Sequence, residues 1–314
     1  MTDPLQETKK NIEGLVAIAL TSFTEDLNFD KSAYKRHLHS ISDEIGLTQD
    51  EGAVIVNGST GECYSMSKEE RKAVAEVAVE EIGDKVPVIV GCNHSNVNQS
   101  IELAQHAEDI GATGVMMLPP YYFTPPTKEG VLSFYQKVSK KIDFGILYYN
   151  NPEISKYDIP IEVLSELIKT TNVVAIKECT PHISKMEKVV REVGDQINVL
   201  NGQGEFLEPY AELAGTDGFI SSTANVAPKM VLNLWENRSE GKLEKAMEIK
   251  NKLLPYLNFI ADEGEKGQPR ALSLIKEFTN LRGSSVGPGR LPLQPVDKED
   301  KKQINKILEK MDLL

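Results

Sequence analysis

Cysteine is scarce and scattered. The three in 314 residues, Cys63, Cys92 and Cys179, form no C-x-x-C pair. That spacing speaks against a disulfide framework or a zinc site and for reduced thiols in the cytoplasm. Long apolar runs are missing as well. The longest span roughly 6–8 residues, far short of the ~18 that a membrane helix needs, so no membrane partner is expected. Positive charge is in deficit: 35 Lys and Arg stand against 47 Asp and Glu, a net charge of −12. Nucleic-acid binders normally present a basic face, so the balance argues against that class, whereas it leaves room for a local basic pocket for a small acid. The N-terminus has no positive segment leading into an apolar run, and no signal peptide is expected. With 22 glycines and 16 prolines the chain is neither collagen-like nor of low complexity. Its 40% hydrophobic and 26% charged residues are the balance of a soluble globular protein.

What is present is a regular alternation of short apolar runs and longer amphipathic ones. The runs at 15–20 (LVAIAL), 53–57 (AVIVN), 86–91 (VPVIVG), 114–118 (GVMML), 144–149 (FGILYY), 173–178 (VVAIKE), 197–201 (INVLN) and 218–222 (GFISS) read as strands. Helices are predicted between and after them, over 30–45, 67–82, 97–110, 127–141, 160–169, 183–193, 205–214 and 227–239. Ser67, with Glu70 three residues on, is a capping box for the second of these. Continuous rather than alternating apolar runs fit parallel strands buried on both faces. Eight strand–helix units favour a closed (β/α)8 barrel, a TIM barrel, over a doubly wound sheet. Residues 241–260, 269–281 and 300–312 read as further helices with no new strand, and 283–296 (GSSVGPGRLPLQPV) as a connector. The chain thus divides into a barrel at 1–240 and a C-terminal helical extension at 241–314.

In such a barrel, chemistry sits at the C-terminal ends of the strands. Lys177 ends the sixth. Burial disfavours the charged form of an amine, and a neutral amine attacks a ketone to form a Schiff base. The alternative is a lysine salt-bridged to Glu178 or Glu62. Tyr149 ends the fifth strand, where its phenol could relay protons or simply pack, and in a regular strand Tyr148 faces the other way. After strand two, Asn57-Gly58-Ser59-Thr60-Gly61-Glu62 sets two hydroxyls between two glycines, either an anion-binding loop or a plain turn. Pro119-Pro120-Tyr121-Tyr122-Phe123 follows strand four as an aromatic lid or interface. Gly202 and the run through Ile220 leave room near Lys177. The stretch Ser221-Ser222-Thr223-Ala224-Asn225 lacks the glycine cluster of a barrel phosphate site.

In this order NGSTGE, LPPYYF, LYYNNP, VVAIKEC and GFISSTANVAP resemble the dihydrodipicolinate synthase/N-acetylneuraminate lyase family of class I, pyruvate-type lyases, over about residues 14 to 292. The resemblance implies that Lys177 forms an imine with a small 2-keto acid and that Tyr149, of the Y-N-x-P motif, relays protons. It implies that Ser59 and Thr60 bind the keto-acid carboxylate, where Thr is usual at both positions, and that Gly202 and Ile220 line the pocket. Tyr122 would reach into a neighbouring subunit's site, in a homotetramer built as a dimer of dimers. No metal or organic cofactor is implied.

Two departures bear on the substrate. In the synthase branch of the family, Y-N-x-P is followed by small-Arg-Thr-Gly, whose arginine binds the carboxylate of aspartate semialdehyde. Here Glu153-Ile154-Ser155-Lys156 follows, with Ile154 at the arginine position. Phe123 also stands where a polar residue is usual. Three readings follow. One is an aldolase, dehydratase or deaminase acting on another 2-keto acid, such as a sugar-derived acid or a hydroxyproline-derived pyrroline carboxylate. Another is an authentic synthase with a rearranged carboxylate site, in which Lys156 replaces the arginine. The third is a non-catalytic sensor barrel, which the intact Lys177–Tyr149 pair disfavours.

Overall fold

The computed structural model describes residues 3–45, 52–123 and 125–314. Eight strands close into a barrel: β1 (Gly14–Ile18), β2 (Gly52–Val56), β3 (Val88–Gly91), β4 (Gly114–Met117), β5 (Gly145–Asn150), β6 (Val173–Glu178), β7 (Asn198–Asn201) and β8 (Gly218–Ser221). Each pairs in parallel with the next, and β8 returns to β1. Helix α1 (Pro4–Asn11) precedes β1. Between the strands lie α2 (Lys31–Ile45), α3 (Lys68–Ile82), α4 (Val97–Asp109), α5 (Lys128–Ser139), α6 (Pro152–Ser155), α7 (Ile161–Thr170), α8 (Ile183–Val193) and α9 (Tyr210–Leu213). After β8 come α10 (Pro228–Ser239), α11 (Leu243–Glu265), α12 (Gln268–Leu281) and α13 (Lys298–Lys310). The fold is therefore a (β/α)8 barrel with C-terminal helices, as the apolar runs predict.

Every strand residue is buried, because one face of each strand lines the interior and the other lies under helices. Ala175, Leu147, Tyr149, Leu200 and Ile220 belong to the interior cluster, and Ile176, Tyr148 and Val199 to the layer between strands and helices. An irregularity in the β5–β6 register leaves both Val174 and Ala175 in the interior cluster, and regular alternation from Ala175 onward sends Lys177 inward above it. Alternation also separates the two tyrosines as expected: Tyr148 packs outward, its ring centroid 5.1 Å from that of Tyr135.

Helix α3 carries the predicted capping box, with Glu70 N–H on Ser67 Oγ (3.1 Å) and Ser67 N–H on Glu70 Oε2 (2.9 Å). An N-cap of this kind contributes about 1 kcal/mol. The predicted helix over 205–214 is a correction. It is split into a 3-10 turn, Gly204–Phe206, and the single turn α9. Pro209 has no N–H to continue a helix, and its ring disfavours helical backbone at the residue before it.

Sequence periodicity also misses α1, which is capped by Asp3 and started by Pro4. It covers the N-terminal end of the barrel. The Thr8 hydroxyl donates to Thr113 O (2.8 Å) and accepts from Gly145 N–H (3.0 Å). A Cβ at residue 145 would stand 2.7 Å from the Thr8 methyl, so only glycine admits the contact.

The C-terminal helices build a separate apolar cluster that includes Leu253, Leu274, Phe278 and Ile304 and takes in Leu20, Val226 and Ala227 from the segments after β1 and β8. Fully burying a Leu, Ile or Phe side chain stabilises by ~1.5–3 kcal/mol, so this cluster fastens the helices beside the strand ends that carry the site.

Candidate active site

Lys177 and Tyr149 are register partners across β6 and β5. Both are buried, at 5% and 4% exposure, and Lys177 Nζ sits 4.3 Å from the centroid of the Tyr149 ring. Neither salt-bridge partner foreseen for Lys177 serves it. Glu178 points to the outer face, accepting from Asn150 Nδ2 (2.9 Å) and Thr180 N–H (2.8 Å). Glu62 is paired with Lys276 Nζ (2.7 Å) and accepts the Arg290 N–H (2.8 Å). Lys177 Nζ has no hydrogen bond or ion pair among the described residues and lies over the tyrosine π-face. Burying an amine unpaired is unfavourable, so the arrangement is not one that stability alone selects.

Gly202, at the end of β7, is required by close approach. A Cβ there would lie 2.2 Å from Cys179 Sγ, 2.9 Å from Glu178 O and 3.0 Å from Lys177 Cγ. The glycine therefore accommodates the stem of Lys177. Ile220, 4% exposed, closes the interior from β8. Cys179 is the wall residue that sequence reasoning missed. Burial pushes its thiol up to about 12, so it stays protonated and acts as a small apolar side chain.

After β2, the loop is bracketed by left-handed residues, Asn57 (φ 55°) and Glu62 (φ 57°). Such conformations are uncommon outside glycine and persist where surrounding contacts impose them. Those contacts are Thr21 Oγ1 to Gly61 O (2.7 Å), Glu62 N–H to Ser59 O (3.0 Å) and the Glu62–Lys276 pair. Arg290 extends the network. It donates to Ser65 O (3.0 Å) and Glu70 (3.0 Å), and it holds the Glu70 carboxyl below the usual carboxylate range. The half-buried Ser59 and Thr60 keep backbone N–H groups that have no partner among the described residues. Adjacent free N–H groups on a held loop form an anion-binding concavity.

Burial raises the Tyr149 phenol above its ordinary value, while Lys177 and hydrogen bonding by Asn151 and Ser59 oppose the rise. The structure thus brings Lys177, Tyr149, Ser59, Gly202 and Ile220 to one end of the barrel. It does not bring Tyr122 there. That residue sits at positive φ (95°) with 88% exposure beside Phe123 at 90%. No hydrogen bond or ring contact joins it to Tyr149 or Lys177 among the described residues. Ile154 lies on α6, 40% exposed, and Lys156 Nζ is turned back onto Glu153 O (2.6 Å).

Fold and site together define a parallel eight-stranded barrel with a lysine and a tyrosine at the ends of adjacent strands. The dihydrodipicolinate synthetase family model matches residues 11–311, and the chain belongs to that family, whose enzymes are lyases acting on small substrates. It is 30% identical over 304 residues to the 4-hydroxy-tetrahydrodipicolinate synthase of Methanopyrus kandleri, covering 96% of this chain and 97% of that one. To the synthase of Methanocaldococcus jannaschii it is 32% identical over 262 residues, covering 83% and 87%. Among solved structures, dihydrodipicolinate synthase from Thermotoga maritima superposes with a TM-score of 0.87 at 30% identity, covering 97% of this chain and all of that one. The Aquifex aeolicus enzyme gives 0.87 at 27%, covering 96% and 99%. No described helix is long and apolar enough to cross a membrane.

Proposed function

We propose that the protein is a Schiff-base-forming lyase in which Lys177 attacks the keto carbon of pyruvate or a related 2-keto acid. The observation that carries this reading is the Lys177 amine, without a hydrogen bond or ion pair among the described residues and buried against Tyr149 on the adjacent strand. The substrate carboxylate would rest on the Ser59 and Thr60 N–H groups, with the keto carbon presented to Nζ. Tyr149 would shuttle the protons. Gly202 and Ile220 would line the pocket without adding polar atoms, so the loop and the lysine–tyrosine pair would set the substrate's orientation.

Relatives named 4-hydroxy-tetrahydrodipicolinate synthase favour authentic synthase activity as a second reading. Against it stands the region after β5. Ile154 occupies the arginine position, and Lys156 Nζ is engaged with the Glu153 carbonyl. A hydrogen bond to a charged group is worth ~1.5–3 kcal/mol net, roughly 10–150-fold in binding. We therefore expect aspartate semialdehyde to be a poor second substrate, with kcat/KM well below ~10⁴ M⁻¹s⁻¹, while pyruvate forms the imine normally. The assay is condensation of pyruvate with aspartate semialdehyde, run beside a panel of 2-keto-3-deoxy acids and hydroxyproline-derived substrates. A semialdehyde value at or above that level returns the protein to the synthase reading.

The exposed Tyr122–Phe123 pair supports assembly, because contiguous apolar surface marks a contact. In a homotetramer, Tyr122 would serve a neighbouring subunit's Tyr149. Light scattering at micromolar concentration is expected to give four times the 34.8 kDa chain mass, and a clean monomer would count against it.

A further inference from the structure

Asn151, the variable residue of the Tyr-Asn-x-Pro run, holds its side-chain amide at both ends. Its Oδ1 accepts the backbone N–H groups of Glu153 (3.1 Å) and Ile154 (3.3 Å) and so caps α6. Its Nδ2 then faces Tyr149 Oη at 3.0 Å. The two caps fix which end is which, because a flipped amide would set its NH2 against two N–H donors. An amide N–H can only donate. The phenol oxygen therefore accepts from Asn151, and its own proton points away from α6.

We propose that Asn151 is a positioning residue that sets the direction of proton transfer at Tyr149, aiming the phenol proton at the substrate side. The proposal rests on the reading of Tyr149 as the relay. When the Lys177 amine has added to the keto carbon, the carbinolamine must lose its hydroxyl. Tyr149 gives that hydroxyl a proton, so that water leaves. A protonated imine remains on Lys177 and a phenolate on Tyr149, until the nitrogen returns the proton. Asn151 stabilises the phenolate through its N–H and never competes for the proton. The groups facing Tyr149 are Lys177 on β6, Cys179 just beyond it and Ser59 on the loop after β2. None of them is a carboxylate that would draw the proton off.

Asn151→Asp tests this cleanly. Asp caps helices as well as Asn does, so α6 keeps its start, while the donor becomes a charged acceptor. That acceptor would pull the phenol proton toward α6 and oppose the phenolate. The readout is the rate of pyruvate imine build-up, sampled by borohydride quench across pH. The expected result is a rate at least about tenfold lower at neutral pH, with the alkaline limb moved to higher pH and the thermal midpoint held. Lys177 and Cys179 are common to both proteins, so the difference between the two profiles reports Tyr149. Asn151→Ser, which caps but is too short to donate, should fall in between. In the Tyr149→Phe background, Asn151→Asp should change nothing further. If Tyr149→Phe is slow but Asn151→Asp and Asn151→Ser match the parent in rate and profile, Asn151 only caps α6 and the proposal is overturned. If Tyr149→Phe is itself fast, the relay reading falls first and takes the proposal with it.

Discussion

Lys177→Ala should abolish borohydride trapping of pyruvate and lower turnover by roughly 10⁴–10⁶-fold, the scale on which deleting a covalent nucleophile acts. The loss should come without unfolding. Lys177 Nζ has no counter-ion or hydrogen bond among the described residues, so its removal orphans no buried group. Only the aliphatic stem against Gly202 is lost, and the thermal midpoint should move by a few degrees at most. Lys177→Arg is the matching control, since it restores the charge but not the imine.

The other buried lysines make the test sharp. Lys276 is committed to Glu62 (2.7 Å) and to Thr21 O (3.0 Å). Lys250 donates to Phe206 O (2.8 Å) and covers the Tyr210 ring at 4.3 Å. Neither can leave its partner without stranding a buried polar group. Peptide mapping of the trapped parent protein should place the adduct on Lys177. An adduct on Lys250 or Lys276, or trapping that survives Lys177→Ala, would refute the assignment.

The barrel is readable from the chain because its strands are continuous apolar runs, and that pattern needs no knowledge of neighbours. The period of two then separates Tyr148 from Tyr149 and sends Lys177 inward, which both the strands and the clusters bear out. What escapes such reading depends on distant partners. Glu62 meets Lys276 across 214 positions and the backbone of Arg290 across 228, and no local pattern announces either contact. Helix α1 escapes because its one buried residue is a threonine, held by hydrogen bonds rather than by an apolar stripe. The segment 205–214 has the composition of a helix, but Pro209 interrupts it, a local signal that the apolar periodicity masks. Asn151 lies inside the Y-N-x-P motif that carries the family resemblance. Its bond to Tyr149 appears only when the chain turns into α6 and caps it.

Tyr149→Phe separates packing from chemistry at the second residue of the pair. The ring stays under Lys177, and the interior cluster keeps its volume, so the fold should hold. The hydroxyl that accepts from Asn151 is lost, leaving one half-buried amide hydrogen unpaired at a cost of about 1 kcal/mol. If the phenol carries the proton to the departing hydroxyl, kcat should fall by ~10²–10⁴-fold with modest change in KM. The carboxylate contacts foreseen at Ser59 and Thr60 are not touched, which is why binding should survive. Imine formation should slow but not vanish, since the Lys177 amine remains and water can move the proton less efficiently. Trapping carried to completion should therefore still label Lys177, while the initial rate of trapping drops in step with kcat. A kcat near that of the parent would show that burial, which raises the Tyr149 phenol, keeps it out of proton exchange altogether. Tyr149 would then only wall the pocket, and the proton would have to travel by solvent or by a group from another subunit.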